Sequence, residues 1–200
     1  MSALPKKLFT ATEYLELERK AEFKSEFFGG EIFAMAGASK PHNMIVSNVI
    51  QAIGPQTRER DCLVYPGDMR VKVDKLGKYT YPDVAVTCGE ERFEDSEVDT
   101  LLNPVLIIEV LSGSTEAYDR GAKFAHYQFI TSLTEYILIA QDICRVEQFV
   151  RQNDGTWTYR AFHTLDDFVK LESIGCGLAL KEVYFKIPNI PVLKEWGRDE

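Results

Sequence analysis

Residues 105–111 read V-L-I-I-E-V-L, six apolar residues around one carboxylate, Glu109. Pro104 precedes the run and Ser112-Gly113 follows it. A run this short and this continuously apolar fits a strand covered on both faces. A carboxylate inside such a strand is costly unless it is paired, hydrogen-bonded or bound to a metal. A chain that keeps Glu109 there must bring partners to it from elsewhere.

The flanking sequence supplies elements that could do so. Residues 10–13 (T-A-T-E) fit a capping box that opens a helix to about residue 21, with Tyr14, Leu17 and Ala21 inward. Strand-like runs at 23–28 and 31–36 flank Gly29-Gly30 as a hairpin. On the second run Glu31 shares a face with Phe33 and Met35, so it is an edge charge at the turn or a third acid pointing inward. Pro41 and the recurrence of Ile45, Val46, Val49, Ile50 and Ile53 predict a helix from 42 to about 54. His42 falls in its first turn, where a capping or surface role competes with a functional one.

Residues 63–74 and 79–88 read as two strands, the second carrying Pro82-Asp83. Residues 90–99 hold six acids and read as a solvated loop or short helix. After the central run, a loop at 112–115 leads into a helix to about residue 130. There Tyr118, Ala122, Ala125 and Phe129 form a packing stripe, and Asp119, Lys123 and Tyr127 an adjacent line. Strands at 134–140, 144–151 and 157–162, the last two joined by the turn N-D-G, precede a mixed tail at 171–187 and a peripheral segment at 189–200. With no repeat, low-complexity tract or linker, residues 1–200 are expected to form one α/β domain.

Composition limits the function classes. The net charge of -8 provides no global basic field, so binding of nucleic acid must rest on local patches or on metal ions that offset acids. Arg70, Lys72, Lys75 and Lys78 are candidates for such a patch, with a solvated face as the alternative. Cys62, Cys88, Cys144 and Cys176 form no C-x-x-C pair, which speaks against zinc. The first residues carry no apolar export signal, so a cytoplasmic location with reduced, mostly buried thiols is expected. No apolar stretch approaches the roughly 18 residues a membrane span needs, so no membrane association is expected.

Two acids on neighbouring strands, Asp83 and Glu109, with Lys123 on the next helix, suit a divalent-metal phosphodiester hydrolase. The acids would hold Mg²⁺ or Mn²⁺, and Lys123 would orient water or offset charge on phosphate. Blander roles compete: Asp83 as a turn residue, Glu109 in a structural ion pair, Lys123 paired with Asp119 one turn before it.

The residues Gly29-Gly30-Glu31, Met35-Ala36-Gly37, His42, Pro82-Asp83-Val84-Ala85-Val86, Glu109-Val110-Leu111-Ser112 and Ser114-Thr115-x-x-Tyr118-Asp119-Arg120-Gly121-x-Lys123-x-x-x-Tyr127 occur in this order. Together, and continuing into Glu135-Tyr136, they resemble the Uma2 endonuclease family, a branch of the PD-(D/E)XK nuclease superfamily, over roughly residues 8–185. The resemblance implies a restriction-endonuclease-like α/β (α+β) fold, a mixed β-sheet core flanked by helices. It implies a metal-dependent enzyme acting on DNA, and a homodimer. Asp83 would take the family's aspartate role and Glu109 the (D/E) role, with Glu31 as an extra acid and His42 nearby. The chain departs from the superfamily pattern where Leu111 stands two residues after the acid in place of lysine. Lys123 matches the family's lysine on the following helix. A non-catalytic module on the same fold, binding nucleic acid or protein, is the alternative.

Overall fold

Two β-sheets organise the chain, one of six strands and one of five, with a small two-stranded sheet beside them. The structure, a computed structural model, describes residues 7–113 and 115–192. Residues 1–6, Ser114 of the expected loop and residues 193–200 of the expected peripheral segment lie outside it.

Helix α1 (Ala11–Glu18) opens with the expected capping box, Thr10 and Glu13 bonding reciprocally. Its inward face is Tyr14, Leu15 and Glu18, while the expected core residue Leu17 is half exposed. Glu18 turns inward because it has partners there: the N–H and hydroxyl of Ser25 and the Tyr81 hydroxyl. Strands β1 (Ser25–Phe28) and β2 (Glu31–Ala34) form the expected hairpin. Gly29 and Gly30, at φ +60° and +83°, supply the left-handed turn it needs. Helix α2 (Lys40–Thr57) is capped by the Ser39 side chain, which accepts from the His42 N–H.

The expected strand at 63–74 divides into β3 (Cys62–Pro66) and β4 (Arg70–Val73), and that at 79–88 into β5 (Lys78–Thr80) and β6 (Val84–Cys88). In each case one half joins each large sheet. The second break falls at Pro82, which has no N–H to give to a ladder. After the short β7 (Thr100–Leu101) comes the central run, β8 (Leu106–Leu111), with all six residues buried. A helical segment follows: α3 (Glu116–Tyr118), a π-helical turn (Asp119–Lys123) and α4 (Phe124–Tyr127). Strands β9 (Glu135–Ala140), β10 (Val146–Arg151) and β11 (Trp157–Phe162) complete the six-stranded sheet. Strands β12 (Phe168–Leu171) and β13 (Cys176–Ala179) and the short α5 (Leu180–Val183) follow.

The six-stranded order is β11-β10-β9-β8-β6-β3, mixed because β8 and β9 run parallel while the other neighbours are antiparallel. One face of β8, with Leu106, Ile108 and Val110, packs with Ile45, Val49 and Ile53 of α2 and with β12, β13 and α5. The other, with Ile107 and Leu111, packs with Phe124, Tyr127 and Tyr136. Period two puts Glu109 on this second face, toward the 116–127 segment.

Three further expectations are corrected. Cys62 and Cys88 are not reduced thiols: β3 and β6 set them directly opposite each other and a disulfide joins them, leaving Cys144 and Cys176 free and buried. Their separation of 26 residues gave no local sign of that pairing. The acidic stretch is not simply solvated: Asp95 and Asp99 bind Arg19, Asp99 also binds Arg70, and Glu94 binds Lys72 and Tyr79. The packing stripe expected on the 116–127 segment is displaced too, since Tyr118 and Phe129 are exposed and Asp119, Lys123, Phe124 and Tyr127 are buried.

Candidate active site

Antiparallel pairing of β6 with β8 ends at Val84 against Ile108, and Asp83 and Glu109 are the next residues beyond that pair. Asp83 thus stands at the mouth of β6 beside β8, near enough for its charge to act on the Glu109 carboxyl. Asp83 Oδ2 accepts the Val110 N–H at 2.7 Å and stands 3.1 Å from His42 Nε2, brought in by the first turn of α2. Glu109 Oε1 accepts the Tyr127 hydroxyl at 2.8 Å and the Lys123 ammonium at 2.8 Å. Among the described residues no hydrogen bond reaches Asp83 Oδ1 or Glu109 Oε2, so each acid keeps one oxygen for another partner.

Lys123 is enclosed by acids: besides Glu109, Asp119 Oδ1 lies 3.5 Å away and Glu26 Oε1 3.7 Å away. Burial disfavours its charge, but Glu109, Glu26 and Asp119 outweigh burial and hold the ammonium well above the usual lysine value. Burial pushes the Glu109 carboxyl up to about 8, aided by the charges of Asp83 and Asp119 and opposed by Lys123. Burial likewise raises Asp119. The π turn sits here, a helical irregularity that recurs at functional sites, and it carries both Asp119 and Lys123.

Of the expected residues, Asp83, His42, Glu109 and Lys123 are brought together. Glu31 heads β2 beside the Gly29-Gly30 turn, opposite Phe28; the hairpin acid that reaches Lys123 is Glu26 on β1. Glu26 also accepts a short hydrogen bond from the Thr80 hydroxyl of β5. Glu26 was missed because β1 lacks the apolar context that singles out Glu109; its alternation with buried Phe27 was the available signal. Lys78, expected in a basic patch or on a solvated face, is instead buried on β5 on the same face as Thr80.

Among the described residues, no group of three or more His, Cys, Asp and Glu side chains converges to enclose a metal ion. A closed zinc-type cage needs about four such ligands. Two carboxylates with one free oxygen each fit a hard divalent cation such as Mg²⁺, which takes one or two carboxylates and completes its shell with water and phosphate.

A mixed sheet flanked by helices, with an acid pair at neighbouring strand positions and a lysine from the next helix, defines a restriction-endonuclease-like fold. A solved structure from Anabaena variabilis, described as "a putative nuclease belonging to DUF820", superposes with a TM-score of 0.70 at 21% identity, covering 88% of this chain and 97% of that one. The Uma2 family model, described as "Putative restriction endonuclease", matches residues 11–181, and the chain belongs to that family. Two Synechocystis relatives are similar too, both described as uncharacterized. One (sll1609) is 40% identical over 76% of this chain and 85% of its own length. The other (slr1290) is 34% identical over 86% and 89%. Among the described residues no helix is long and apolar enough to cross a membrane.

Proposed function

We propose that the chain is a divalent-metal-dependent endonuclease that hydrolyses DNA phosphodiester bonds. One observation carries the reading: Asp83 at the start of β6 and Glu109 of β8 adjoin, each with an oxygen that no hydrogen bond reaches among the described residues, beside a buried Lys123 ammonium 2.8 Å from Glu109. In this reading Asp83 and Glu109 hold Mg²⁺ or Mn²⁺, and the bound ion supplies Lewis-acid and water-activating chemistry. Lys123 orients the attacking water and offsets charge developing on the phosphate. Tyr127 fixes Glu109, and His42 and the Val110 N–H fix Asp83, so both acids are held in one geometry before metal arrives. Glu109, Glu26 and Asp119 keep Lys123 protonated, and Glu26 takes the place the resemblance gave to Glu31.

The enclosure of Lys123 by three carboxylates favours a second reading, a nuclease-fold module that binds nucleic acid or a protein without cutting. Calorimetric titration with Mn²⁺, followed by cleavage of plasmid DNA, separates the two. The nuclease reading expects metal binding that Asp83→Ala and Glu109→Ala abolish in folded protein. It also expects Lys123→Ala to cut at least about 100-fold more slowly than wild type, the lower end of what general acid–base groups contribute. Metal binding with no cleavage of any DNA favours the module, and cleavage at the wild-type rate removes Lys123 from the mechanism.

A further inference from the structure

Nine tyrosines are present, and eight of them donate their hydroxyl hydrogen to an acceptor in the protein. Tyr118 differs. Its oxygen accepts from the Lys78 ammonium at 2.5 Å, and among the described residues its own O–H meets no acceptor. The residue is 39% exposed, while Lys78 beneath it is 1% exposed. Lys78 is unusual as well. The other deeply buried cations have a carboxylate at 2.8 Å, Glu109 for Lys123 and Asp99 for Arg70. The hydrogen-bonding partners of Lys78 are the Tyr118 hydroxyl and, at 3.3 Å, His126 Nδ1. Burial lowers the Lys78 ammonium from the usual lysine range while the nearby Glu26 charge supports it.

Among the described residues no carboxylate lies within ion-pair distance of Lys78, so its direct anchor is the Tyr118 hydroxyl, while Glu26, Glu109 and Asp119 act on its charge from further off. A hydroxyl that accepts from an ammonium is polarised, and its hydrogen becomes a stronger donor. Burial raises the Tyr118 hydroxyl to about 12, so at neutral pH it keeps that hydrogen. The direction is set by the packing: the oxygen is anchored inward on Lys78, which leaves the hydrogen for the exposed side. Tyr118 stands just before the π turn and Lys123 ends it, and the two meet neighbouring strands of one sheet, Tyr118 through Lys78 of β5 and Lys123 through Glu26 of β1.

We propose that Tyr118, polarised by Lys78, is a substrate-binding residue that donates a hydrogen bond to a phosphate oxygen of the DNA strand beside the scissile linkage. The proposal rests on the nuclease reading above. It gives an acidic site a cationic contact for its anionic substrate, relayed through a neutral hydroxyl. It also gives a role to a residue that the sequence pattern pointed out and the cleavage machinery does not use.

The test is binding of a fluorescently labelled 20-base-pair duplex, with Ca²⁺ replacing Mn²⁺, by wild type, Tyr118→Phe, Lys78→Met and the double variant over a range of salt. Each single variant is expected to weaken binding about tenfold, the scale of a charge-assisted hydrogen bond. The double variant should weaken it no further than the worse single one, since the two groups act as a unit. Lys78→Met should lower the slope of log affinity against log salt by about one, and Tyr118→Phe should leave it unchanged. A merely structural role would move the melting temperature and leave the affinity of folded protein alone, and that result overturns the proposal. If Lys78→Met does not fold, Tyr118→Phe decides alone: unchanged affinity overturns the proposal and a tenfold loss supports it. Wild type that binds no duplex overturns the nuclease reading and this proposal together. Wild type that binds with variants that bind equally overturns this proposal only.

Discussion

At the scale of single residues, the cost of Glu109 organises the site. A carboxyl in the middle of a covered strand resists ionising, and burial raises it from 4.5 to about 8. In the metal-free protein this makes folding pH-dependent with a definite sign. Because the folded value lies above the unfolded one, the contribution of this group to stability is full below about pH 4.5 and is lost as pH rises through about 8. Urea unfolding in EDTA should show wild type losing at most about 1.4 kcal/mol per pH unit across that window from this group. Glu109→Gln, whose amide oxygen can still accept from Tyr127 and Lys123, should lack that slope and bind no Mn²⁺. Equal slopes in the two proteins would place the titration elsewhere. The same cost made Glu109 legible in the sequence, because an acid among six apolar residues needs an explanation. Asp83 was legible only as a Pro-Asp dipeptide; its meaning comes from the pairing that brings it beside Glu109. Glu26 had no such marker, since a charge on a half-exposed hairpin strand is ordinary.

At the scale of elements, local signals carried over where they were chemical and failed where they depended on partners. The capping box of α1 and the Gly-Gly hairpin need only neighbours in sequence, and the unbroken apolar run of β8 marks it as covered whichever partners cover it; each forms as expected. The alternating runs at 63–74 and 79–88 suggested single strands because period two does not reveal which sheet a residue joins. The 116–127 segment is the sharper case. A regular 3.6-residue period put Tyr118 and Phe129 inward, but the π turn widens one turn and changes the phase, so Asp119, Lys123 and Tyr127 face the sheet. Gly121 lies in that turn with open space where a side chain would begin and without the left-handed backbone that favours glycine. Gly121→Ala is therefore expected to stabilise the protein by about 0.5–1 kcal/mol through lost unfolded-state entropy, raising the melting temperature by about 1–4 °C. A drop in melting temperature would mean that the π turn needs glycine for a reason its backbone geometry does not reveal.

At the scale of the molecule, the -8 charge hides a division of labour among its cations. Arg70 and Lys72, candidates for a nucleic-acid patch, are spent internally on the acidic loop. That loop joins separate parts of the fold: Asp99 binds Arg19 just beyond α1 and Arg70 of β4, while Glu94 binds Lys72 of β4 and Tyr79 of β5. Among the described residues, Lys123 and Lys78 are the buried cations at the site, so in the nuclease reading DNA affinity draws on few positive groups and on the metal. The two pairs of Asp99 should differ in weight. Arg19 is partly exposed, and a pair of that kind contributes at most about 1 kcal/mol. Arg70 is buried, and without Asp99 its charge is left with neutral partners, the Thr100 and Tyr81 hydroxyls and the Tyr14 and Tyr81 rings. Asp99→Asn is therefore expected to destabilise by about 2 kcal/mol, less than a fully buried pair because about a third of Asp99 remains exposed. Arg19→Ala should cost no more than about 1 kcal/mol. The Arg19 and Arg70 contacts hold the Asp99 carboxyl far below its usual value. Its contribution is thus present above about pH 4 and lost as pH falls further, the opposite direction from Glu109. Thermal unfolding of the two variants at pH 7 and pH 3 is the measurement. A large gap at pH 7 that narrows at pH 3 identifies the Asp99–Arg70 pair as the tie between loop and sheet, and equal costs at pH 7 would assign that tie to the Glu94 contacts instead.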